Sequence, residues 1–170
     1  MKTDLARPEL SASGLRFAVV VARWNREYTS RLADGALAAL RSAGSTDADI
    51  QVFDVPGAFE LPLASQAAAK SGKFDAVISL GVVIRGDTPH FDYVAGQAAA
   101  GLMTAGLQSG VPVMFGVITA DTVEQVVARC GEGEDNKGYE AALSAVEMVH
   151  TLRDIKARGW TTEKAFPHVV

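Results

Sequence analysis

The chain has 170 residues, 48% of them hydrophobic and 21% charged, which is typical of a single globular domain with its own core. Sixteen basic and twenty acidic side chains leave a net charge of −4, which argues against nucleic acid or anionic lipid as a partner. The single cysteine, Cys130, excludes an internal disulfide and favours a reducing compartment. No apolar run is long enough to span a membrane, and residues 1–8 do not resemble a signal peptide, so we expect a cytoplasmic protein.

Apolar runs alternate with helical patterns along the chain. A β-branched run from Leu15 to Ala22 is typical of a strand buried on both faces. Gly44 ends the helix that follows, and Pro62 restricts the start of the next helix to about Ala58. The pattern predicts strands over residues 15–22, 50–55, 74–84 and 111–118, and helices over 27–43, 58–70, 90–109, 121–130 and 136–158, the fourth of them capped by Asp121 with Glu124 at its third position.

Four strand–helix alternations with short connections predict an α/β fold. We expect a three-layer α/β/α sandwich with a central four-stranded parallel sheet, flavodoxin-like winding and right-handed crossovers. The domain should cover residues 15–158, with a flexible arm over 1–14 and a polar tail over 159–170.

Candidate functional residues follow the strands, where open α/β sheets bind ligands. We place four groups at carboxyl ends of strands: Trp24 with Asn25, residues 58–60, residues 86–88 with His90, and Phe115. Aromatic rings, a carboxylate, a backbone-rich turn before a helix and an imidazole suit a flat polar heterocycle and a phosphate.

Each group also has a simpler interpretation. The aromatic side chains of Trp24, Phe59 and Phe115 could be packing residues, and Glu60 could complement a helix dipole. Residues 86–88 could form an ordinary turn, because no nucleotide-loop motif is present. His90 at a helix start is the best candidate for acid/base chemistry.

Other reactive side chains carry weaker signals. Cys130 is best interpreted as a small buried hydrophobe near a helix end. His150 and His168 lie apart on the last helix and the tail, and the carboxylates near them lack the spacing of metal ligands. We therefore predict no metal site.

Together these residues resemble the lumazine synthase (6,7-dimethyl-8-ribityllumazine synthase) family. The resemblance spans about residues 15–158 in the family's order and spacing, and the run around His90 is its most specific part. Its motifs are Trp24-Asn25, residues 55–62 (VPGAFELP), residues 81–94 (GVVIRGDTPHFDYV), residues 115–119 (FGVIT), and Glu124-Gln125 through Arg129 to Asn136-Lys137-Gly138.

The resemblance implies a reaction and a set of roles. The enzyme would condense 5-amino-6-(D-ribitylamino)uracil with 3,4-dihydroxy-2-butanone 4-phosphate, without cofactor or metal, and His90 would transfer protons. The residues implied for the pyrimidine and ribityl chain are Trp24, Ala58, Phe59, Glu60, Val82, Val83, Ile84 and Phe115. Those implied for the butanone phosphate are Asp87, Thr88 and Arg129.

Two departures from the family pattern affect these expectations. The stacking residue is often Phe in the family, so Trp24 should alter the affinity for flavin or related ligands. Asp87 brings a negative charge beside the phosphate turn, so it should point away from the phosphate. The acidic loop over residues 131–135 leaves the role of Lys137 in phosphate binding open.

The resemblance also implies an assembly. Family members form pentamers whose active sites are shared between neighbours, and some pentamers build hollow shells of 60 subunits. The short interval between Arg129 and Lys137 is that of shell-forming members. Two alternatives stay open: a flavin- or lumazine-binding paralogue with little activity, and a structural shell protein without turnover.

Overall fold

The computed structural model of the chain describes residues 10–158. Its strands are β1 (Phe17–Ala22), β2 (Ile50–Val55), β3 (Ala76–Ile84) and β4 (Val113–Ala120). Its helices are α1 (Arg26–Ser42), α2 (Leu61–Lys70), α3 (His90–Ser109), α4 (Val123–Val127) and α5 (Lys137–Ala157). The strands form one parallel sheet in the order β2-β1-β3-β4, so β2 and β4 are its edges.

Each face of the sheet carries its own hydrophobic core. On one face, alternate side chains of β1 and β3, such as Val19 and Ile78, pack with α1 and α5. On the other face, residues such as Val20 and Val77 pack with α2 and α3. This alternation is the consequence of the two-residue period of a strand, and it confirms the predicted α/β/α sandwich.

Small residues let the helices of each layer approach closely. A Cβ placed on Gly138 of α5 would collide with the backbone of Leu32 in α1. On the other face, a Cβ on Gly101 of α3 would lie 2.7 Å from Pro62 Cβ of α2. A side chain at either glycine would push two helices apart, so these positions set the distance between the two helices of each layer.

The predicted elements agree with the structure in type, and most differ by a few residues at their ends. The bounds of α3 are those predicted, whereas β4 begins and ends two residues later than expected. The helix predicted over 58–70 begins with a 3₁₀ turn, Ala58–Glu60, before α2. The cap of α4 is Thr122, whose side chain accepts from Gln125 N, so the predicted Asp121 cap is wrong by one residue.

The start of the described chain is packed against the domain. Ala12 is fully buried, and its N–H donates to Ala43 O at 2.7 Å. Residues 10–14, the described part of the arm predicted over residues 1–14, are therefore held against the domain. The tail predicted over 159–170 lies outside the described residues, as do residues 1–9. Within residues 10–158, no helix is long and apolar enough to cross a membrane.

Candidate active site

The turns after β1 and β2 are joined to each other at the carboxyl edge of the sheet. Arg23 N donates to Val55 O at 2.8 Å, and Trp24 N donates to Pro56 O at 3.1 Å. These bonds continue the β1–β2 pairing past the ends of both strands. They bring Trp24 beside the segment that carries Ala58, Phe59 and Glu60.

Trp24 presents its indole ring to solvent beside Gly57. The residue is 72% exposed, so its interpretation as a packing residue of the protomer core is wrong. A Cβ on Gly57 would lie 3.0 Å from Trp24 Cδ1, which shows how closely the ring approaches the backbone. An exposed ring fixed over a glycine is suited to stack on a flat ligand.

Asn25 fixes the turn that carries this ring. Its backbone is left-handed, with φ 60° and ψ 42°, a conformation that Asn tolerates better than most residues. Its side-chain Nδ2 donates to Val82 O at 2.9 Å, and its carbonyl accepts from Tyr28 N and Thr29 N at the start of α1. Asn25 thus connects the turn after β1 to β3 on one side and to α1 on the other.

Residues 58–60 form the 3₁₀ turn that leads into α2. Glu60 Oε2 accepts the N–H of Gly57 at 2.9 Å, so the helix-start interpretation of this carboxylate is confirmed. The Glu60 residue is nonetheless exposed, as is Phe59. Ala58 is buried, and a Cβ on Gly81 of β3 would lie 3.5 Å from it, so this turn packs directly on β3.

The last residues of β3 form the floor beneath these groups. Val82 and Val83 are buried and Ile84 is partly buried, with successive side chains on opposite faces of the sheet. What they offer to a ligand at the strand end is chiefly backbone, as expected for a pocket wall. Asn25 already uses the carbonyl of Val82.

The turn over residues 86–89 leads from β3 into the start of α3. The backbone N–H of His90, the first residue of this helix, donates to Thr88 Oγ1 at 3.4 Å. Asp87, Thr88 and His90 are all exposed. A Cβ on Gly86 would meet no atom within 4 Å, so the space over this turn is open in the described chain. A helix start behind such a turn is suited to an anion.

Arg85 ties this turn to its surroundings. Its Nε donates to Asp121 Oδ1 at 2.8 Å, and its Nη1 and Nη2 donate to the two carboxylate oxygens of Asp92 at 3.4 and 3.0 Å. Its guanidinium carbon lies 4.1 Å from the centroid of the Phe91 ring. The hydrogen bond to Asp92, and then that to Asp121, raise the pKa of Arg85 above its ordinary value.

Phe115 lies elsewhere. It is the third residue of β4 and pairs with Ser79, which in turn pairs with Val20 of β1. The prediction that it lies at the carboxyl end of its strand is wrong, because β4 continues to Ala120. At roughly 3.3 Å per residue, five residues place Phe115 about 16 Å before that end. The ring is 46% exposed on an edge strand, and β3 lies between it and β1, the strand that leads to Trp24.

Arg129 follows α4 on the same side of the fold as the β4 edge. Its Nη1 donates to Gln125 O at 2.8 Å, and its carbonyl accepts from Lys137 N at 2.9 Å. The segment is anchored by Asn136, whose buried amide donates to Arg31 O and Gly131 O and accepts from the first N–H groups of α5. The bonds described for Arg129 thus join it to its own segment and not to the turn over 86–89.

Comparison with known proteins decides the family. The family model described as 6,7-dimethyl-8-ribityllumazine synthase matches residues 14–153. The chain belongs to this family. It is 51% identical over 147 residues to the 6,7-dimethyl-8-ribityllumazine synthase of Desulfatibacillum aliphaticivorans, and 52% identical over 146 residues to that of Syntrophus aciditrophicus (strain SB). Each match covers 86% of this chain and 95% of the relative.

The sequence assigned no role of their own to two residues of this lumazine synthase family member, Asn25 and Arg85. Asn25 stood in a recognised motif, but no pattern in the sequence indicates that its amide reaches Val82 O. Arg85 likewise stood inside the long motif, and its partners Asp92 and Asp121 are separate from it in sequence. A polar residue directly after a buried strand was the available signal for both.

A cavity of about 590 Å³ lies away from these groups, between α1 and the segment before α5. It shares none of the predicted site residues. Its lining consists of Arg31, Asp34, Gly35, Ala38, Cys130, Gly131, Glu132, Gly133, Asn136 and Tyr139. Among residues 10–158, no cluster of His, Cys, Asp and Glu has the arrangement of a metal site.

Proposed function

We propose that the chain condenses 5-amino-6-(D-ribitylamino)uracil with 3,4-dihydroxy-2-butanone 4-phosphate to give 6,7-dimethyl-8-ribityllumazine, phosphate and water. The family and the names of its relatives support this reaction. The observation that carries it is the meeting of three strand ends: the Trp24 ring, the Glu60 carboxylate and the helix start at His90 share the carboxyl edge of the sheet.

The pyrimidine binds over the turns after β1 and β2. Trp24 stacks on the ring, because its indole is exposed and lies beside Gly57 at the end of the sheet. One Glu60 oxygen accepts the Gly57 N–H at the start of the 3₁₀ turn, which leaves the other free to accept ribityl hydroxyls. Ala58 and Phe59 border the same pocket, and Val82, Val83 and Ile84 form its wall.

The butanone phosphate binds at the turn over residues 86–89. The start of the twenty-residue helix α3 and the Thr88 hydroxyl supply hydrogen-bond donors, and the open space over Gly86 lets the phosphate approach the backbone. Asp87 is exposed, and its carboxylate has to point away from the phosphate, because two negative charges side by side repel each other. Arg129 supplies the positive charge that a phosphate dianion requires.

The chemistry needs positioning and one proton carrier. The 5-amino group attacks the ketone, and water leaves to give an imine. Loss of a proton from C3 and of phosphate from C4 then leaves an enol, which tautomerises to a new ketone with a terminal methyl group. The ribityl-bearing nitrogen attacks this ketone and closes the ring with loss of a second water. His90 beside the phosphate turn takes and returns the protons. Holding two reactive partners together can supply up to about 7–11 kcal/mol of the barrier reduction.

Two positions support a site completed by a second copy of the chain. Phe115 lies on the edge strand β4, which β3 separates from the strand leading to Trp24, and Arg129 bonds within its own segment. A neighbouring copy brings Phe115 to the pyrimidine and Arg129 to the phosphate. Three large side chains of α3 are exposed at helical spacing and give a second copy an apolar face to cover: Tyr93, Met103 and Leu107.

A shared site requires at least two copies, and the family supports a specific assembly. We infer a cytoplasmic homopentamer, and the short segment between Arg129 and Lys137 favours the 60-subunit shell. Light scattering separates the two, because a pentamer has five times the 17.9 kDa mass of the chain and a shell sixty times. A particle near the smaller mass rejects the shell and leaves the pentamer standing.

The test of the reaction is a two-substrate assay. The purified protein should produce lumazine fluorescence and release one phosphate per lumazine, and it should need both substrates. A yellow protein that retains flavin but makes no lumazine would support the binding paralogue instead, since an exposed Trp24 ring also suits a flavin. A large particle without turnover or flavin would support the structural shell protein.

A further inference from the structure

We propose that Arg85 is a positioning residue for the phosphate-bearing substrate: it closes the turn over residues 86–89 and neutralises two carboxylates beside that turn. The inference rests on the proposed function, because it takes that turn to be the phosphate site. Arg85 itself was not among the residues predicted to touch a substrate.

Arg85 closes the turn by bonding to the segments around it. Arg85 N donates to Ala120 O at 2.9 Å, which fixes the residue to the end of β4. Its side chain forks onto Asp92 in the first turn of α3, and its Nε reaches Asp121 directly after β4. The guanidinium just before the turn is therefore bonded both to the helix after the turn and to the segment after β4, and the Phe91 ring packs against it. A planar fork bound on two sides restricts rotation in a way that a single ammonium cannot.

Arg85 also balances negative charge beside the turn. Asp92 lies in the first turn of α3, where a carboxylate is attracted to the same helix start that would bind the phosphate. Asp87 and Asp121 add two further negative charges near the turn. By pairing with Asp92 and Asp121, Arg85 holds both carboxylates in ion pairs at 3.0 and 2.8 Å. Without it, they would repel an incoming phosphate dianion.

The guanidinium of Arg85 is not available to a ligand. Its Nε, Nη1 and Nη2 all donate to carboxylate oxygens, so the guanidinium is oriented toward protein and not toward a ligand. The residue therefore acts through the turn, and its loss should affect one substrate more than the other.

The test compares Arg85→Met with a matched control, Arg41→Met. Arg41 is also exposed and pairs with an aspartate, Asp47 at 2.7 Å, but it lies in the last turn of α1. The measurements are the melting temperature, KM for each substrate, and the Ki of inorganic phosphate as a competitor of the butanone phosphate. Because hydrogen bonds to charged groups are the stronger class, Arg85→Met should raise the Ki and the KM for the butanone phosphate about tenfold. KM for the pyrimidine should stay within about twofold, and Arg41→Met should change neither constant.

Further variants separate closure of the turn from neutralisation of the two carboxylates. Arg85→Lys keeps the charge but cannot span both carboxylates, so its Ki should lie between those of the parent and Arg85→Met. Combining Arg85→Met with Asp92→Asn and Asp121→Asn should restore much of the phosphate affinity, because the unpaired charges are gone. If Arg85→Met does not fold, the Ki of phosphate and both KM values are compared for Arg85→Lys and the parent instead.

Thr88→Ala distinguishes failure of this inference from failure of the proposed site. If Thr88→Ala raises the Ki of phosphate while neither Arg85 variant does, the inference is overturned and the phosphate turn stands. If neither position affects phosphate affinity, both are overturned. An equal rise in KM for both substrates would also overturn it, since that result indicates general damage to the fold.

Discussion

The side chain of Asn25 donates a hydrogen bond to the carbonyl of Val82 at 2.9 Å, across 57 positions of sequence. This bond joins the turn that carries Trp24 to the strand that leads to the phosphate turn and His90. Together with the bonds of Arg23 N to Val55 O and Trp24 N to Pro56 O, it fixes the position of the stacking ring relative to the proton carrier. Asn25 also accepts two N–H groups at the start of α1 through its left-handed backbone.

Replacing Asn25 by Gly and by Ala should separate these two roles. Gly keeps the left-handed backbone without strain, so Asn25→Gly should lose chiefly the hydrogen bond, about 0.5–1.5 kcal/mol of stability. Asn25→Ala adds the strain of a left-handed alanine, about 1–2 kcal/mol more. Denaturant unfolding measures the stabilities, and both variants should raise KM for the pyrimidine. Equal stabilities of the Gly and Ala variants would show that the backbone conformation at this position carries no strain.

Glu60 should tolerate an amide better than a truncation. Glu60→Gln retains an oxygen that can accept the Gly57 N–H, whereas Glu60→Ala leaves this N–H, at the start of the 3₁₀ turn, without its partner. We expect Glu60→Ala to lose about 0.5–2 kcal/mol of stability, the usual cost of removing a cap. Both variants should raise KM for the ribityl-bearing substrate. A Gln variant that binds it as well as the parent would show that the charge is not used.

His90→Ala should slow turnover without abolishing it. A single acid/base group typically raises the rate by roughly 10²–10⁴-fold, and juxtaposition of the two substrates supplies the rest of the acceleration. KM for both substrates should change little. His150→Ala is the control, since that imidazole bonds to Ser11 O at 2.8 Å on the last helix and is remote from the turn. Complete inactivity of His90→Ala with unchanged substrate binding would contradict the proximity argument.

Trp24→Phe tests the departure from the usual family residue. Phe keeps a π face with less area, so riboflavin and lumazine should dissociate more readily from the variant. Fluorescence quenching on titration with riboflavin gives the Kd directly, and it should rise by about three- to tenfold if stacking contributes near 1 kcal/mol. An unchanged Kd would indicate that the flavin binds elsewhere, for example in the 590 Å³ cavity beside Arg31.

The strands and helices were predictable because their signals are local. The run from Leu15 to Ala22 is apolar enough for a strand buried on both faces, and α3 begins directly after Pro89. The capping of α4 was displaced by one residue because Asp121 and Thr122 are both good caps, and the sequence does not decide between them. Thr122 accepts from Gln125 N, and Gln125 Oε1 in turn accepts from Asp121 N at 2.9 Å.

The site was predictable where it follows strand ends, and not where it depends on register. Trp24, Glu60 and His90 come shortly after strands, so a parallel sheet brings them to one edge. Phe115 lies inside β4, as it also does inside the strand predicted over residues 111–118, so it is not one of the residues that follow a strand end. The pairs of Asn25 with Val82 and of Arg85 with Asp121 join distant segments and form only after the sheet order is set.

The most direct test of a site built from two copies is subunit complementation. One variant carries Glu60→Ala and His90→Ala, and the other carries Arg129→Ala, which should chiefly weaken binding of the butanone phosphate. Mixed after unfolding and reassembled together at equal ratio, roughly a quarter of the sites should contain only intact residues, because each site draws on two neighbouring copies. Lumazine fluorescence should then recover well above the value of either variant reassembled alone. Activity of the mixture equal to the average of the two separate variants would contradict the shared site.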